Sequence, residues 1–316
     1  TLPYASPGRN CRQVRDPNRT QALLSSMIVG VSTYVKDRHH AIELTQSLIG
    51  SSTYHQTPGV QYVYNASQIS VFDDDNADSK DYPDGVRLKT TPPCQSRISG
   101  GFHCLQEKIS AIIFSMAYDA VIDERIHYAV YTDCDMALNL LNIAEALEHR
   151  VDSDKVLMIG DVRWGHSHYP FVSGGGFIFT RKWLEEFYEY ALGVYELHGT
   201  LPLMGKVHER VSLNGIHGAD SYFTYLTYRL GGNAMHLPGT SGFSSVCVFP
   251  ENYWHFPVLS VHGIVSKRKK DDRYNTFRGP KYFDEVNKIF ENQEESIQGL
   301  RTLRATPRQV HQTTIH

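Results

Sequence analysis

The sequence lacks several features that would narrow its function at once. Its 316 residues contain no apolar run long enough to span a bilayer. A formal net charge of −3 gives no reason to expect a nucleic acid or an anionic membrane as a partner. None of the five cysteines belongs to a C-x₂-C pair, so the spacing argues against a structural zinc site. With 41% hydrophobic residues, the composition is that of an ordinary globular protein with a sizeable core.

Cysteines and glycosylation acceptors bear on the cellular compartment. Cys94 and Cys104 enclose a Gly/Ser/Pro-rich stretch, where a disulfide would brace a loop and imply an oxidising compartment; two free thiols are the alternative. Asn18-Arg-Thr20 and Asn65-Ala-Ser67 are N-glycosylation acceptors, but this is about the number that chance gives. No signal peptide is visible, and the start at Thr1 without a methionine is explained if an N-terminal segment has been removed.

Strand-like and helix-like segments alternate along the chain. Such alternation is typical of an α/β fold with a mainly parallel central sheet flanked by helices. We expect an irregular lead-in over residues 1–26, a single domain over 27–280 with a long loop at 72–101, and a C-terminal helix and polar tail over 281–316. The predicted strands are 27–35, 60–64, 127–133, 155–160, 177–180 and 257–263, and the predicted helices are 39–50, 105–123, 137–149, 182–197 and 217–231.

Two aspartates one residue apart, Asp133 and Asp135, follow the apolar run 127–131. Carboxylates at positions i and i+2, where a strand stops being regular, can both face one cation, and their oxygens suit Mg²⁺ or Mn²⁺. The carboxyl end of such a strand opens onto the crevice where α/β sheets bind ligands. A metal held there could bind a diphosphate. Most D-x-D triplets are solvated turns, and that alternative stays open for the motif alone.

Three downstream segments add to this pair. Gly174, Gly175 and Gly176 precede an apolar strand-like stretch, and consecutive glycines let a ligand approach the backbone closely. Asp220 begins a predicted helix, where it can be the N-cap, a carboxylate that takes a proton from a substrate hydroxyl, or both. His262 ends a short apolar run and could give a neutral nitrogen ligand to the same metal. A glycine turn without a ligand is the alternative for the first segment.

Other polar clusters are interpreted as surface features. Asp73–Asp75 with Asp78 lacks the glycine and the last glutamate of an EF-hand loop, so a solvated loop is predicted. His166 and His168 lie close to a proline and are interpreted as part of a loop. The basic run Lys267–Lys270 is interpreted as an exposed patch, with contact to a diphosphate as the alternative.

The order of these motifs resembles that of a known family. A strand ending in D-x-D, then G-G-G-F before a strand, then an acidic helix start and then V-S-V-H-G is similar to the fringe-like β-1,3-glycosyltransferases. That family has a GT-A fold, with a mainly parallel sheet flanked by helices and a Rossmann-like nucleotide-binding half. The resemblance runs from about Met27 to His262 and includes the placement of Cys94 and Cys104 ahead of the helix at 105–123.

The resemblance implies a role for each candidate residue. Asp133 would lie on the nucleotide side of the metal site, and Asp135 would bind Mn²⁺ (or Mg²⁺) directly. His262 would complete the protein ligands, and Asp220 would be the catalytic base. The glycines 174–176 would bind along the donor-sugar and acceptor side.

Three departures from the family pattern indicate a divergent member. Cys134 replaces the middle acid of an acidic triplet, and Ala219 replaces the acid before Asp220. The cysteine often found in the strand after the glycines is absent from Phe177–Phe179, so Cys134 needs another partner or stays reduced. These departures leave the identity of the donor open.

The resemblance also implies an activity. It is the inverting transfer of a sugar from UDP-Gal or UDP-GlcNAc to a hydroxyl of a glycan or glycoprotein, with Asp220 as the base and a metal neutralising the leaving diphosphate. The expected location is the Golgi lumen of the secretory pathway, with any membrane anchor outside this chain. One alternative is a retaining or otherwise different GT-A transferase in which Asp220 only positions the substrate. Another is a sugar-binding protein with a decayed site.

Overall fold

A computed structural model describes the greater part of the chain. The described residues are 17–33, 37–51, 62–73, 77–91, 101–148, 150–164, 170–205, 218–237 and 260–262. No helix within these ranges combines the length and the apolar character needed to cross a membrane.

A seven-stranded sheet forms the centre of the molecule. Its strands are β1 (Met27–Ser32), β2 (Ile69–Asp73), β3 (Arg87–Thr90), β4 (Tyr128–Asp133), β6 (Leu157–Trp164), β7 (Pro170–Thr180) and β8 (Asn233–His236). The spatial order is β3-β2-β1-β4-β7-β6-β8. Neighbours pair in parallel except at β7, which is antiparallel to both β4 and β6. The carboxyl ends of β1, β2, β4, β6 and β8 therefore lie on one edge, which we call the carboxyl edge.

Two further strands form a short ribbon, β5 (Met136–Leu138) paired antiparallel with β9 (Ser260–His262). Helices cover both faces of the central sheet. The first face packs against α1 (Pro17–Ser25), α2 (Arg38–Ser51), α4 (Leu140–Glu148) and β5. The second face packs against α3 (Gly101–Ile122), α5 (Arg181–His198) and α6 (Ala219–Arg229).

Patterning explains why these segments form their elements. All six residues of β1 are buried, as a β-branched run between two helical layers requires. In α3, Ile109, Ile112 and Met116 recur at helical spacing and are buried on the second face. The predicted α/β fold with a mainly parallel sheet flanked by helices is therefore confirmed.

One predicted strand, at residues 60–64, is wrong. Tyr62 and Tyr64 are buried, but residues 62–65 belong to no strand. The side chain of Gln21 occupies both backbone polar groups of Val63, donating to its carbonyl at 2.7 Å and accepting from its N–H at 2.8 Å. Because a side chain takes the place of a neighbouring strand here, the alternation of buried residues does not lead to sheet pairing.

Several predicted boundaries also need correction. The lead-in over 1–26 is not irregular throughout, because α1 covers Pro17–Ser25. The predicted loop at 72–101 contains β3. The predicted helix at 137–149 starts at Leu140, because Met136–Leu138 instead pair with β9. The predicted C-terminal helix lies outside the described residues.

Candidate functional site

The D-x-D aspartates lie at the carboxyl edge. β4 pairs with β1 as far as Asp133, which lies opposite Ser32. The N–H of Cys134 still donates to the carbonyl of Ser32 at 3.1 Å, and the chain then turns into β5. Asp133 and Asp135 are both half-buried. The two carboxylates thus stand where β4 leaves the sheet, which is the position that the sequence predicts.

A buried tyrosine distinguishes Asp133 from Asp135. The hydroxyl of Tyr131 donates to Oδ1 of Asp133. Burial, together with the Asp133 charge, raises the pKa of Tyr131 well above its usual value of 10, so the phenol stays protonated and remains a donor. One Asp133 oxygen is therefore held by the protein.

Cys134, between the two aspartates, is a buried free thiol. Burial raises its pKa above the usual value, and the charges of Asp135 and Asp133 raise it further. Of the two outcomes left open by the sequence, another partner or a reduced thiol, the structure has the thiol.

The ribbon brings His262 beside the aspartates. In the β5–β9 pairing His262 lies opposite Met136, the residue that follows Asp135. Met136 is 1% exposed, so packing holds this pairing against the first face of the sheet. The structure describes the backbone of His262 and not its side chain. Two residues far apart in the sequence are thus neighbours through a backbone ladder.

The glycine run lies inside β7 rather than before a strand, and it forms a large bulge. Between the pairs Ile159–Ile178 and Asp161–Ser173, β6 advances two residues while β7 advances five. The three extra residues on β7 match the length of the run Gly174–Gly176. The bulge therefore takes glycine backbone out of the β6 ladder at the carboxyl edge.

Close packing explains two of the glycines around this bulge. A Cβ atom on Gly160 of β6 would lie 2.7 Å from Cγ1 of Val172, so that position has no room for a side chain. Gly176 pairs with Thr132 on β4, and a Cβ there would lie 3.1 Å from Cε of Met136. The bulge thus contacts both the end of β4 and the ribbon.

Asp220 is the second residue of α6 and is half-buried. The N-cap is Gly218, with φ of 97° and no side-chain cap bond, so the interpretation of Asp220 as the N-cap is wrong. Oδ1 of Asp220 accepts from the N–H of Ser221 at 2.8 Å. It also lies 2.5 Å from where a Cβ on Gly218 would be, but an aspartate side chain can rotate away, so it is the positive φ of Gly218 that requires a glycine there.

Hydrogen bonds connect the start of α6 to β7. Oγ1 of Thr224 donates to the carbonyl of Asp220 at 2.8 Å and accepts from the N–H of Val172 at 3.0 Å. Farther along, the indole N–H of Trp183 on α5 donates to Oγ1 of Thr227 at 2.7 Å. Asp220 is therefore fixed, through Thr224, to a residue two positions before the glycine bulge.

The structure brings most of the predicted site residues to one stretch of the carboxyl edge. Asp133, Asp135, the His262 backbone and the glycine bulge are linked through β4, the ribbon and β7, while Asp220 is anchored to β7 from the second face. Among the side chains that the structure describes, no three His, Cys, Asp or Glu residues form a ready metal cluster. Two carboxylates and a histidine are nevertheless donors that suit Mn²⁺ or Mg²⁺, so the residue types fit such an ion.

Asp73 is an acid that the sequence interpretation misplaced. It was expected in a solvated loop, but it ends β2 and is 0% exposed. Its Oδ2 accepts from Nε of Arg38 at 2.6 Å and from the hydroxyl of Tyr82 at 2.8 Å. A buried carboxylate needs such partners, and no local motif indicates them, because one comes from α2 and the other from a turn nine residues farther along the chain.

Some predictions fall on parts of the chain that the structure does not describe. His166, His168 and Lys267–Lys270 are outside the described residues. Cys104 lies in the first turn of α3, but Cys94 is also outside, so their disulfide stays a prediction.

A cavity of about 430 Å³ lies away from this site, lined by Glu148, Arg150, Asp152 and Lys155 among others. These residues lie before β6, at the edge opposite the carboxyl edge. Its open, charged walls make it a surface depression without a link to the candidate site.

Comparisons with known proteins find remote similarity in structure alone. No family model and no curated protein sequence matches the chain. It is similar to the glycosyltransferase GlyE of Streptococcus pneumoniae TIGR4, with 11% identity and a TM-score of 0.40, over 85% of this chain and 64% of that one. It is also similar to a glycosyltransferase involved in the glycosylation of the major capsid of PBCV-1, with 13% identity and a TM-score of 0.40, over 83% of this chain and 98% of that one. TM-scores this low carry no argument about function. What is established is the fold class, an α/β fold with a mainly parallel sheet flanked by helices.

Proposed function

We propose that the protein is a metal-dependent, inverting glycosyltransferase with a GT-A fold. It transfers a sugar from a UDP-sugar, UDP-Gal or UDP-GlcNAc, to a hydroxyl of a glycan or glycoprotein. The observation that carries this proposal is the β5–β9 pairing, which puts His262 opposite the residue that follows Asp135. A separate ribbon holds this histidine beside the D-x-D turn, which supports a metal site that both share.

In this proposal Asp135 and His262 hold Mn²⁺ or Mg²⁺. Asp133 supports the nucleotide side, in keeping with its bond from Tyr131. When bound, the ion neutralises charge on the diphosphate leaving group.

The glycine bulge receives the donor sugar and the acceptor. Because Gly174–Gly176 carry no side chains and depart from the β6 ladder, a sugar ring can lie against backbone at this point. Backbone N–H and carbonyl groups there can bind hydroxyls without a steric penalty.

Asp220 is the catalytic base of the proposed reaction. It accepts the proton of the acceptor hydroxyl as that oxygen attacks the anomeric carbon and the bond to the diphosphate breaks on the opposite face. The Ser221 N–H orients its carboxylate before substrate arrives. The N-terminal turn of α6 favours its ionised form.

The proposed setting is the Golgi lumen, with a disulfide between Cys94 and Cys104. This part of the proposal is supported by the sequence resemblance. Mass spectrometry of the unreduced, protease-digested protein tests the disulfide directly, because a linked peptide pair containing both cysteines is expected.

The base assignment is tested with Asp220→Asn, because the amide oxygen can keep the bond from Ser221. Transfer should fall by about 10²–10⁴-fold, while the Kd for UDP with Mn²⁺ stays unchanged. Asp154→Asn, an exposed acid at the opposite edge, is the matched control and should keep full activity. Transfer by Asp220→Asn within a few-fold of wild type would exclude Asp220 as the base.

A further inference from the structure

An ion pair lies across the glycine bulge from Asp133. Asp161 follows Gly160 on β6 and pairs with Ser173, the residue just before the bulge. It is 9% exposed. Its Oδ2 accepts from Nε of Arg163 at 2.8 Å and lies 2.7 Å from Nη2. Neither residue has a role in the proposed reaction so far.

Alternation along β6 settles the direction of Asp161. Met158 and Val162 pack with the second face, and Ile159 packs with the first. The extra residues of the bulge are on β7, so alternation along β6 is maintained and Asp161 points to the first face. That is the face on which the β5–β9 ribbon lies. Asp161 and the ribbon therefore flank the glycine bulge on the same face and at the same edge.

Arg163, and not His236, is the side chain that donates to Asp161. Nδ1 of His236 lies 3.9 Å from Oδ1 of Asp161, but it accepts the N–H of Val162 at 3.3 Å. A ring nitrogen that accepts a hydrogen bond does not donate, so this nitrogen makes no hydrogen bond to the carboxylate. The guanidinium contacts the carboxylate through two nitrogens on one oxygen, which fixes the orientation of the carboxylate.

We propose that Asp161 binds a hydroxyl of the donor sugar, with Arg163 as the positioning residue. The inference rests on the proposed function and assigns a specificity determinant within it. An ionised carboxylate offers about four acceptor positions, so Asp161 can accept from a sugar hydroxyl while it keeps Arg163. Because the glycines between Asp161 and the β5–β9 ribbon have no side chains, a sugar whose diphosphate lies at the proposed Asp135–His262 metal site can reach across to Asp161.

The test compares binding of UDP with binding of UDP-Gal and UDP-GlcNAc, each titrated calorimetrically with Mn²⁺ present. Asp161→Asn should leave the Kd for UDP within about 2-fold and weaken the preferred UDP-sugar by about 10-fold or more, because the sugar hydroxyl then donates to a neutral amide instead of a carboxylate and the ion pair with Arg163 that orients the group is lost. Arg163→Lys keeps the charge but not the fork, so it should give a smaller loss of the same kind. In steady-state transfer, KM for the donor should rise more than kcat falls.

Asp123→Asn is the matched control, because Asp123 is also paired with an arginine, Arg125, but precedes β4 at the opposite edge. It should bind all three ligands like wild type. Equal weakening of UDP and UDP-sugar in Asp161→Asn, or no weakening of either, would overturn the assignment. If Asp161→Asn fails to fold, the same comparison with Arg163→Lys decides. A wild-type protein that binds none of the three ligands would instead remove the proposed function, and the subsite with it.

Discussion

Gly160 allows a sharp test of the packing behind the glycine bulge. A Cβ on this residue would lie 2.7 Å from Cγ1 of Val172 and 3.4 Å from the carbonyl oxygen of Gly176. The first distance is shorter than carbon atoms tolerate, and Val172 is 0% exposed, so it has little room to move. Gly160→Ala is therefore expected to force β6 and β7 apart beside the bulge.

The expected cost is that of overpacking a core by one methyl group, about 1–3 kcal/mol in the free energy of unfolding. For a domain of this size that is a fall of about 2–4 °C in Tm per kcal/mol. Denaturant unfolding followed by circular dichroism measures it. Val172→Ala removes the clashing methyl group, so Gly160→Ala should cost at least about 1 kcal/mol less in that background.

Gly193 in α5 is the matched control. A Cβ there meets nothing within 4 Å, so Gly193→Ala should stabilise the helix by about 0.5–1 kcal/mol. The packing described for the bulge would be wrong if Gly160→Ala were neutral or stabilising, or if its cost were the same with and without the Val172 methyl groups.

Two other predictions concern buried polar groups. Asp73→Asn should destabilise the protein by about 3 kcal/mol in denaturant unfolding, since it leaves the Arg38 charge without its carboxylate. Glu186→Gln, in the exposed pair with Lys182, is the control and should change stability little. Equal losses of stability in the two variants would contradict the argument from burial. Burial raises the pKa of Tyr64 and Tyr131 in the folded protein above the usual 10. Their contribution to stability is complete below pH 10 and is lost as the pH rises above it, so in an alkaline titration the last increment of tyrosinate absorbance should appear together with unfolding. Ionisation of all tyrosines without unfolding would contradict this.

Strong local patterns made much of the fold predictable. The run Met27–Ser32 and the apolar spacing of Gly101–Ile122 each identify a buried element without information from elsewhere in the chain. The predicted strand at 60–64 failed for the opposite reason. Its backbone groups are satisfied by Gln21, a residue from a helix that the sequence did not indicate, and such a contact leaves no periodic signal.

For the candidate site, the positions of residues at strand ends were more predictable than the contacts between strands. Asp133 and Asp135 were placed correctly because the end of an apolar strand fixes where such residues lie. The glycines were expected before a strand, but a bulge depends on the register of two neighbouring strands, which a single segment does not contain. Asp161 and Arg163 were not identified, because the role proposed for them depends on the bulge opposite them.

In the proposed site Asp135 and His262 hold one metal ion together. Calorimetric titration of UDP with and without Mn²⁺ tests it in wild type, Asp135→Asn, His262→Gln and the double variant. If the two residues share an ion, either single change should remove most of the Mn²⁺-dependent gain in affinity, and the double change should add little, because ligands of one ion act as a unit. Affinities that do not depend on Mn²⁺ in wild type, or losses that add in full in the double variant, would contradict the shared site.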